Sequence, residues 1–273
     1  MEDGARVAAI AGVLQGLLEW LPVSSEGNLA IVLTAFGSDP RTAIGLALFL
    51  HLGTALSATV YYRDELRDVL GLVPEWRRRR AFEGGMATVT FLAVATLVSM
   101  LVGACAYLLL EGVVSELTGT ALVGLVGVLL VLTGAIEWYA DELGGAERED
   151  PTLLDALLVG GAQGLAILPG VSRSGTTTSV LLLRGHDGPD SFRLSFLLSI
   201  PAAVGGGLVA VLDAGGLPSL SPVAALVALT TAAVVGYASI GALMRLVRTI
   251  PLWGVCLSLG GLSIVGWFAA TVL

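Results

Sequence analysis

QGLLEWLPVSSEGNLAIVL at residues 15–33 and QGLAILPGVSRSGTTTSVL at residues 163–181 carry one pattern twice, at an ungapped offset of 148. Gln15 pairs with Gln163, Gly16 with Gly164, Leu17 with Leu165, Val23 with Val171, Ser24 with Ser172 and Gly27 with Gly175; Val32 and Leu33 pair with Val180 and Leu181. Each copy is apolar but interrupted by Pro, Gly and Ser. Two broken hydrophobic segments at corresponding places in two halves mark a membrane protein whose site lies between internal repeats.

The surrounding sequence fits that class. Of 273 residues, 55% are hydrophobic and 13% charged, and the mean hydropathy is +0.88; soluble domains carry about 25% charged residues. Stretches of the roughly 20 apolar residues needed to cross a bilayer fall at about 42–62, 86–110, 119–139, 192–212, 222–244 and 251–272. The 36 glycines suit helices that must approach closely in lipid. No basic segment with a cleavage site precedes the first apolar run, so it is expected to stay in the protein. Cys105 and Cys256 stand alone in apolar runs and read as packing residues. A net charge of −8 argues against nucleic-acid binding, which needs a basic face.

Arginine distribution orients the chain. Arg63, Arg67 and Arg77 to Arg80 make the 63–85 loop cytoplasmic by the positive-inside rule, and Arg148, Arg184, Arg193, Arg245 and Arg248 then fall on the same side. Arg6 and Arg41 fall outside, and Arg173 lies at membrane depth. The expected fold is an all-α polytopic membrane protein with six transmembrane helices and two re-entrant helical hairpins. Residues 1–139 form one repeat with its hairpin at 7–36, and residues 153–273 the other, inverted, with its hairpin at 153–184. Broken backbone persists at membrane depth only where protein or water satisfies it, so the two polar tips are expected to meet and form one composite site.

Gln15, Glu19, Ser24, Ser25, Glu26 and Asn28 crowd the first tip. Gln15 and Glu19 share a helical face, and an ionisable group within the membrane marks a functional site by default. The second tip runs Pro169-Gly170-Val171-Ser172-Arg173-Ser174-Gly175-Thr176-Thr177-Thr178. Small residues, a helix N-terminus and one Arg together make an anion cradle suited to phosphate.

Gln15-x-x-x-Glu19, Leu21-Pro22-Val23-Ser24-Ser25-x-Gly27 and Pro169-Gly170-Val171-Ser172-Arg173-Ser174-Gly175, with His51-Leu52-Gly53-Thr54 and Tyr62-Arg63-Asp64-Glu65-Leu66, resemble the undecaprenyl-diphosphate phosphatases of the bacitracin-resistance type. The resemblance spans essentially the whole chain. It implies an integral-membrane hydrolase that converts a C55 or dolichyl-type polyprenyl diphosphate to the monophosphate, recycling the lipid carrier of envelope glycans. It further implies Glu19, Ser25 and Arg173 as catalytic. By the same positions Gln15, Ser172 and Thr177 would contact substrate, and Ser24, Glu26, Asn28, Ser174 and Gly175 at the two polar tips are expected to contact it too. A divalent cation, Mg²⁺ or Ca²⁺, would be held by Glu19, the active site would open to the outer face, and the protein would form a homodimer among membrane lipids.

One departure stands out. The family usually has His where this chain has Asn28, and a small or hydroxylic residue in place of Glu26. Asn28 cannot shuttle a proton near neutral pH, so Ser25 is the expected nucleophile, with Glu19 as base or metal ligand and Glu26 as substitute for the lost imidazole. His51 is open between helix packing and lining the site; His186 is expected in a solvated loop. The alternative is a polyprenyl-phosphate flippase that uses the same inverted-repeat site without chemistry. A membrane lipid phosphatase of the soluble acid-phosphatase type is disfavoured, because it requires Lys and catalytic His residues, and this chain has no Lys and 2 His.

Overall fold

The computed structural model describes residues 2–114, 118–143, 148–217, 220–247 and 252–272, so Arg248 and part of the acidic 140–152 connection lie outside the described residues. Among the described residues there is no strand. Six helices among the described residues are long and apolar enough to cross a membrane: α3 (Pro40–Tyr61), α5 (Gly85–Val114), α6 (Gly119–Leu143), α9 (Gly188–Asp213), α10 (Pro222–Val247) and α11 (Leu252–Val272). They coincide with the six expected spans, and the chain is an all-α polytopic membrane protein. The broken segments are two pairs of shorter helices, α1 (Glu2–Leu18) with α2 (Ser25–Ala35), and α7 (Leu153–Leu165) with α8 (Arg173–Leu183).

The offset of 148 persists in the helix starts. Ser24 and Ser172 cap α2 and α8, each accepting from the backbone N–H three residues on, of Gly27 and Gly175. Asp39 and Asp187 cap α3 and α9 in the same way, from Thr42 and Asp190, with a proline in the first turn of each helix.

Packing partners also pair off. α1 packs on α10 and α7 on α5; α3 lies against α9, and α6 against α11. Glycine explains the first two contacts. A Cβ on Gly12 would stand 2.5 Å from Ala228 O, and one on Gly16 would stand 2.7 Å from Gly236 N, both on α10. At the corresponding places on α7, a Cβ on Gly160 would meet Ala95 O at 2.7 Å and one on Gly164 the Val102 side chain at 2.6 Å, both on α5. These are two small-x-x-x-small faces, which let membrane helices touch backbone to backbone. Each broken segment is thereby seated on a long helix from the other half of the chain.

The arginine-rich 63–85 segment contains more structure than its loop-like composition suggests. α4 (Arg63–Leu72) and two 3-10 turns occupy it, with no residue of α4 buried, and Trp76 Nε1 donates to Thr90 Oγ1 at 2.9 Å to tie it to α5.

His186 corrects an expectation. It does follow α8 in a turn, yet it is 1% exposed, with Nε2 3.3 Å from Asp155 Oδ2. Asp155 is the organiser, because as the third residue of α7 it closes a capping box with Thr152 and receives Arg184 Nε at 2.6 Å. The imidazole completes the shell of a buried carboxylate, an arrangement that loop composition does not reveal.

Candidate functional site

Proline ends both first helices. Pro22 and Pro169 lack an N–H, and the residue before a proline is pushed out of the helical region, so α1 stops at Leu18 and α7 at Leu165. The chain then turns through a non-helical break before α2 and α8 begin, and the two breaks touch.

Ser24 forms that junction. Its Oγ accepts from Gly27 N within its own segment at 3.2 Å and from Gly170 N of the other break at 3.0 Å. To do so it adopts φ 55, the one non-glycine residue with positive φ among the described residues, a conformation costing on the order of 1–3 kcal/mol unless its surroundings over-determine it. Ser174 Oγ on α8 donates to Leu21 O at 3.2 Å, and Cys256 Sγ on α11 donates to Pro22 O at 2.8 Å, so the first break is braced from two other helices. Ser24→Ala is expected to lower the apparent melting temperature, because losing the cap costs about 0.5–2 kcal/mol and also leaves Gly170 N unpaired. Phosphate release should fall with it, since the same bond holds the two halves of the site in register; a variant with unchanged melting and turnover would refute that role.

Glu19 is the centre of the cleft. Arg173 Nη2 donates to its Oε1 at 2.6 Å, and its Oε2 accepts from Ser25 Oγ at 2.8 Å and Gln15 Nε2 at 2.9 Å. His51 Nε2 lies 3.3 Å from the same Oε2, with the ring oriented by a 2.9 Å contact between Nδ1 and Ala47 O. The Glu19 and Arg173 side chains are 4% and 15% exposed, so their pair is desolvated. Arg173 is the first residue of α8, and its guanidinium also donates to Ser195 O at 3.4 Å and lies 5.8 Å from the centre of the Phe196 ring.

The cleft is about 270 Å³ including its open mouth, and is lined by Glu19, Leu21, Ser24, Ser25, Glu26, His51, Ala166, Val171, Ser172, Arg173 and Ser174. Seven of the expected site residues therefore face one space, and His51, left open by the sequence, joins them. The other four expected contacts stand behind it. Gln15 orients Glu19. Asn28 Nδ2 donates to Val23 O at 2.6 Å and Ser24 O at 3.0 Å, tying the break to α2. Gly175 N donates to Ser172 Oγ and the residue packs against Glu137, while Thr177 Oγ1 lies 2.7 Å from Ser195 Oγ and bonds Arg173 O at 2.8 Å. Sequence reading missed Thr133 and Cys256, whose polar atoms brace the breaks from distant helices, and Ser195, whose Oγ meets Thr177 on α8. A polar residue on an apolar helix was the available signal for each.

Glu26 differs from its neighbours. It is 6% exposed, and its Oε1 is buried with no hydrogen-bond partner among the described residues. As the second residue of α2 it gains from the helix dipole about 0.3–1 kcal/mol, well short of the several kcal/mol that desolvating a charge costs.

The chemistry the cleft can perform is anion capture beside an activated hydroxyl. Two helix N-termini and a forked cation face a serine whose proton already points at a carboxylate. A family model described as bacitracin resistance protein BacA matches residues 8–262. The chain belongs to the BacA family. Relatives of this BacA-family chain include an undecaprenyl-diphosphatase of Haloarcula marismortui, 51% identical over 95% of this chain and 96% of the relative. Proteins of the same name from Methanococcoides burtonii and Methanopyrus kandleri are each 36% identical, over 96% and 97% of this chain and 97% of each relative. The matched region includes both breaks and every residue lining the BacA-family cleft.

Proposed function

We propose that this chain is a membrane-embedded phosphatase that hydrolyses a polyprenyl diphosphate of the undecaprenyl class to its monophosphate and inorganic phosphate. The observation that carries the reading is the junction of the two breaks, where Glu19 holds Ser25 Oγ on one oxygen and Arg173 on the other. Ser25 is the nucleophile. Its Oγ attacks the terminal phosphorus, Glu19 Oε2 takes the hydroxyl proton, and the bridging P–O bond breaks with its electrons leaving on the lipid monophosphate. Water then cleaves the phosphoserine, and the proton held by Glu19 returns to Ser25 Oγ. Arg173 and the N-terminal amides of α2 and α8 bind the phosphoryl oxygens, because such transfers depend on positioning and charge neutralisation. His51 and Gln15 hold Glu19 in place, and Ser172 and Ser174 line the anion side.

A divalent cation, Mg²⁺ or Ca²⁺, belongs to the same reading. Glu19 offers it little, since both oxygens already accept from protein donors and one faces the Arg173 cation. Glu26 is the lining carboxylate with unfilled acceptors; a cation held there would offset the charge of the diphosphate.

We further read residues 1–139 and 153–273 as inverted repeats with re-entrant hairpins at 7–36 and 153–184. The cleft then opens to the outer face. Support comes from the persistent offset of 148, the paired packing of α1 on α10 and α7 on α5, and the arginine distribution. A homodimer completes the reading; Gly205, Gly254, Gly261 and Gly266 meet nothing within 4 Å and leave smooth faces on α9 and α11.

The decisive experiment is phosphate release from a C55 or dolichyl diphosphate by the purified protein in detergent. Release that saturates with substrate is the expected result; binding without release would overturn the phosphatase assignment in favour of lipid transport.

A further inference from the structure

The geometry points to Glu26 as one half of a divalent-cation site whose other half is the diphosphate of the substrate, so that cation and substrate bind together and neither Glu26 nor the empty protein retains the cation alone. This rests on the phosphatase reading above. Among the described residues no group of three or more His, Cys, Asp or Glu could by itself hold a metal ion. A hard cation such as Mg²⁺ does not need one: it keeps several waters and takes one or two carboxylates plus phosphate oxygens. Glu26 is the carboxylate in this cleft with that vacancy. Its Oε1 is buried without a partner, and the side chain lines the same space as Ser25 and Arg173.

Charge points the same way. A diphosphate carries about three negative charges near neutral pH. The fixed cation awaiting it, Arg173, is already paired with Glu19. Glu26, next to Ser25 in sequence, would add repulsion to the incoming phosphates if it met them as a bare carboxylate. A cation between the two removes that repulsion and fills the unmet acceptors of Glu26. Glu19 is a poor rival because Gln15, Ser25 and Arg173 use its oxygens.

The test uses the full chain in detergent, methylenediphosphonate as a diphosphate that cannot be cleaved, and Mn²⁺ as a cation visible by electron paramagnetic resonance. Wild type should retain Mn²⁺ when methylenediphosphonate is present and not with Mn²⁺ alone. Glu26→Gln should still be stabilised against heat by methylenediphosphonate, yet hold Mn²⁺ with affinity reduced by roughly tenfold or more; Glu26→Asp, which keeps a carboxylate, should recover part of it. Because Gln replaces a buried carboxyl that has no hydrogen-bond partner among the described residues with a neutral group of the same shape, its melting temperature without ligands should equal or exceed that of wild type, which separates loss of the site from loss of the fold. Mn²⁺ retained equally by Glu26→Gln, or retained by wild type without methylenediphosphonate, would overturn the inference while leaving the phosphatase reading intact. Failure of methylenediphosphonate to stabilise wild type at all would overturn both.

Discussion

Replacing Arg173 by Ala is expected to abolish phosphate release and to destabilise the protein. The guanidinium donates to Glu19 at 2.6 Å from a helix 154 residues away, and both side chains are largely shielded from solvent. Removing one partner of a buried pair costs about 3–5 kcal/mol, because the other charge is left behind. Here the cost should fall near the lower end of that range, since Gln15 and Ser25 still donate to Glu19 and His51 still lies against it. Arg173→Lys separates the two effects: a point charge can stay near Glu19 and preserve much of the stability, but it cannot reproduce the fork that grips phosphate oxygens. In a double-mutant cycle with Glu19→Gln, thermal melting should show a coupling of at least about 1 kcal/mol. Additive effects in that cycle, or substantial turnover by Arg173→Ala, would refute the pair as the core of the site.

Ser25→Ala should have the largest effect on chemistry and a small one on stability. Loss of a nucleophile that acts with a base as one unit costs on the order of 10³-fold or more in turnover. The fold should tolerate the change, because Glu19 Oε2 keeps the Gln15 donor and the nearby imidazole, and the cap of α2 is made by Ser24 rather than by Ser25. The variant should therefore melt within a few degrees of wild type and still be stabilised by methylenediphosphonate. Ser25→Ala with retained turnover would mean that water attacks phosphorus directly and that Glu19 serves water instead.

Both predictions rely on residues that local sequence pattern picks out, but for reasons that pattern does not contain. Glu19 and Arg173 are visible as ionisable groups in apolar sequence, and Ser25 as a hydroxyl beside a proline break. That Glu19 is saturated by donors is invisible, because His51 arrives from α3 and Arg173 from α8. Asn28 and Thr177 were legible as polar residues near the breaks, yet they turn toward backbone carbonyls and Ser195 rather than toward the cleft. Spacing along a helix gives the face of a residue, and which neighbour occupies that face depends on packing. His186 shows the same limit in reverse: a polar residue in a turn is buried because Asp155 needs its ring.

By itself the sequence determined the class of fold and the places where helices stop. Spans are about 20 apolar residues because the bilayer has a fixed thickness, and breaks fall at Pro22 and Pro169 because proline cannot donate into a helix; both are one-dimensional constraints that composition and order express directly. Repetition at an offset of 148 likewise announced that two polar tips would share one role. The tertiary structure alone decided what those tips do together. Ser24 reaching Gly170, Glu19 reaching Arg173 and Cys256 reaching Pro22 join residues 146, 154 and 234 positions apart. Those bonds exist because Gly12, Gly16, Gly160 and Gly164 let the broken helices settle against α10 and α5, and it is close packing of distant segments that leaves Glu26 buried without a partner.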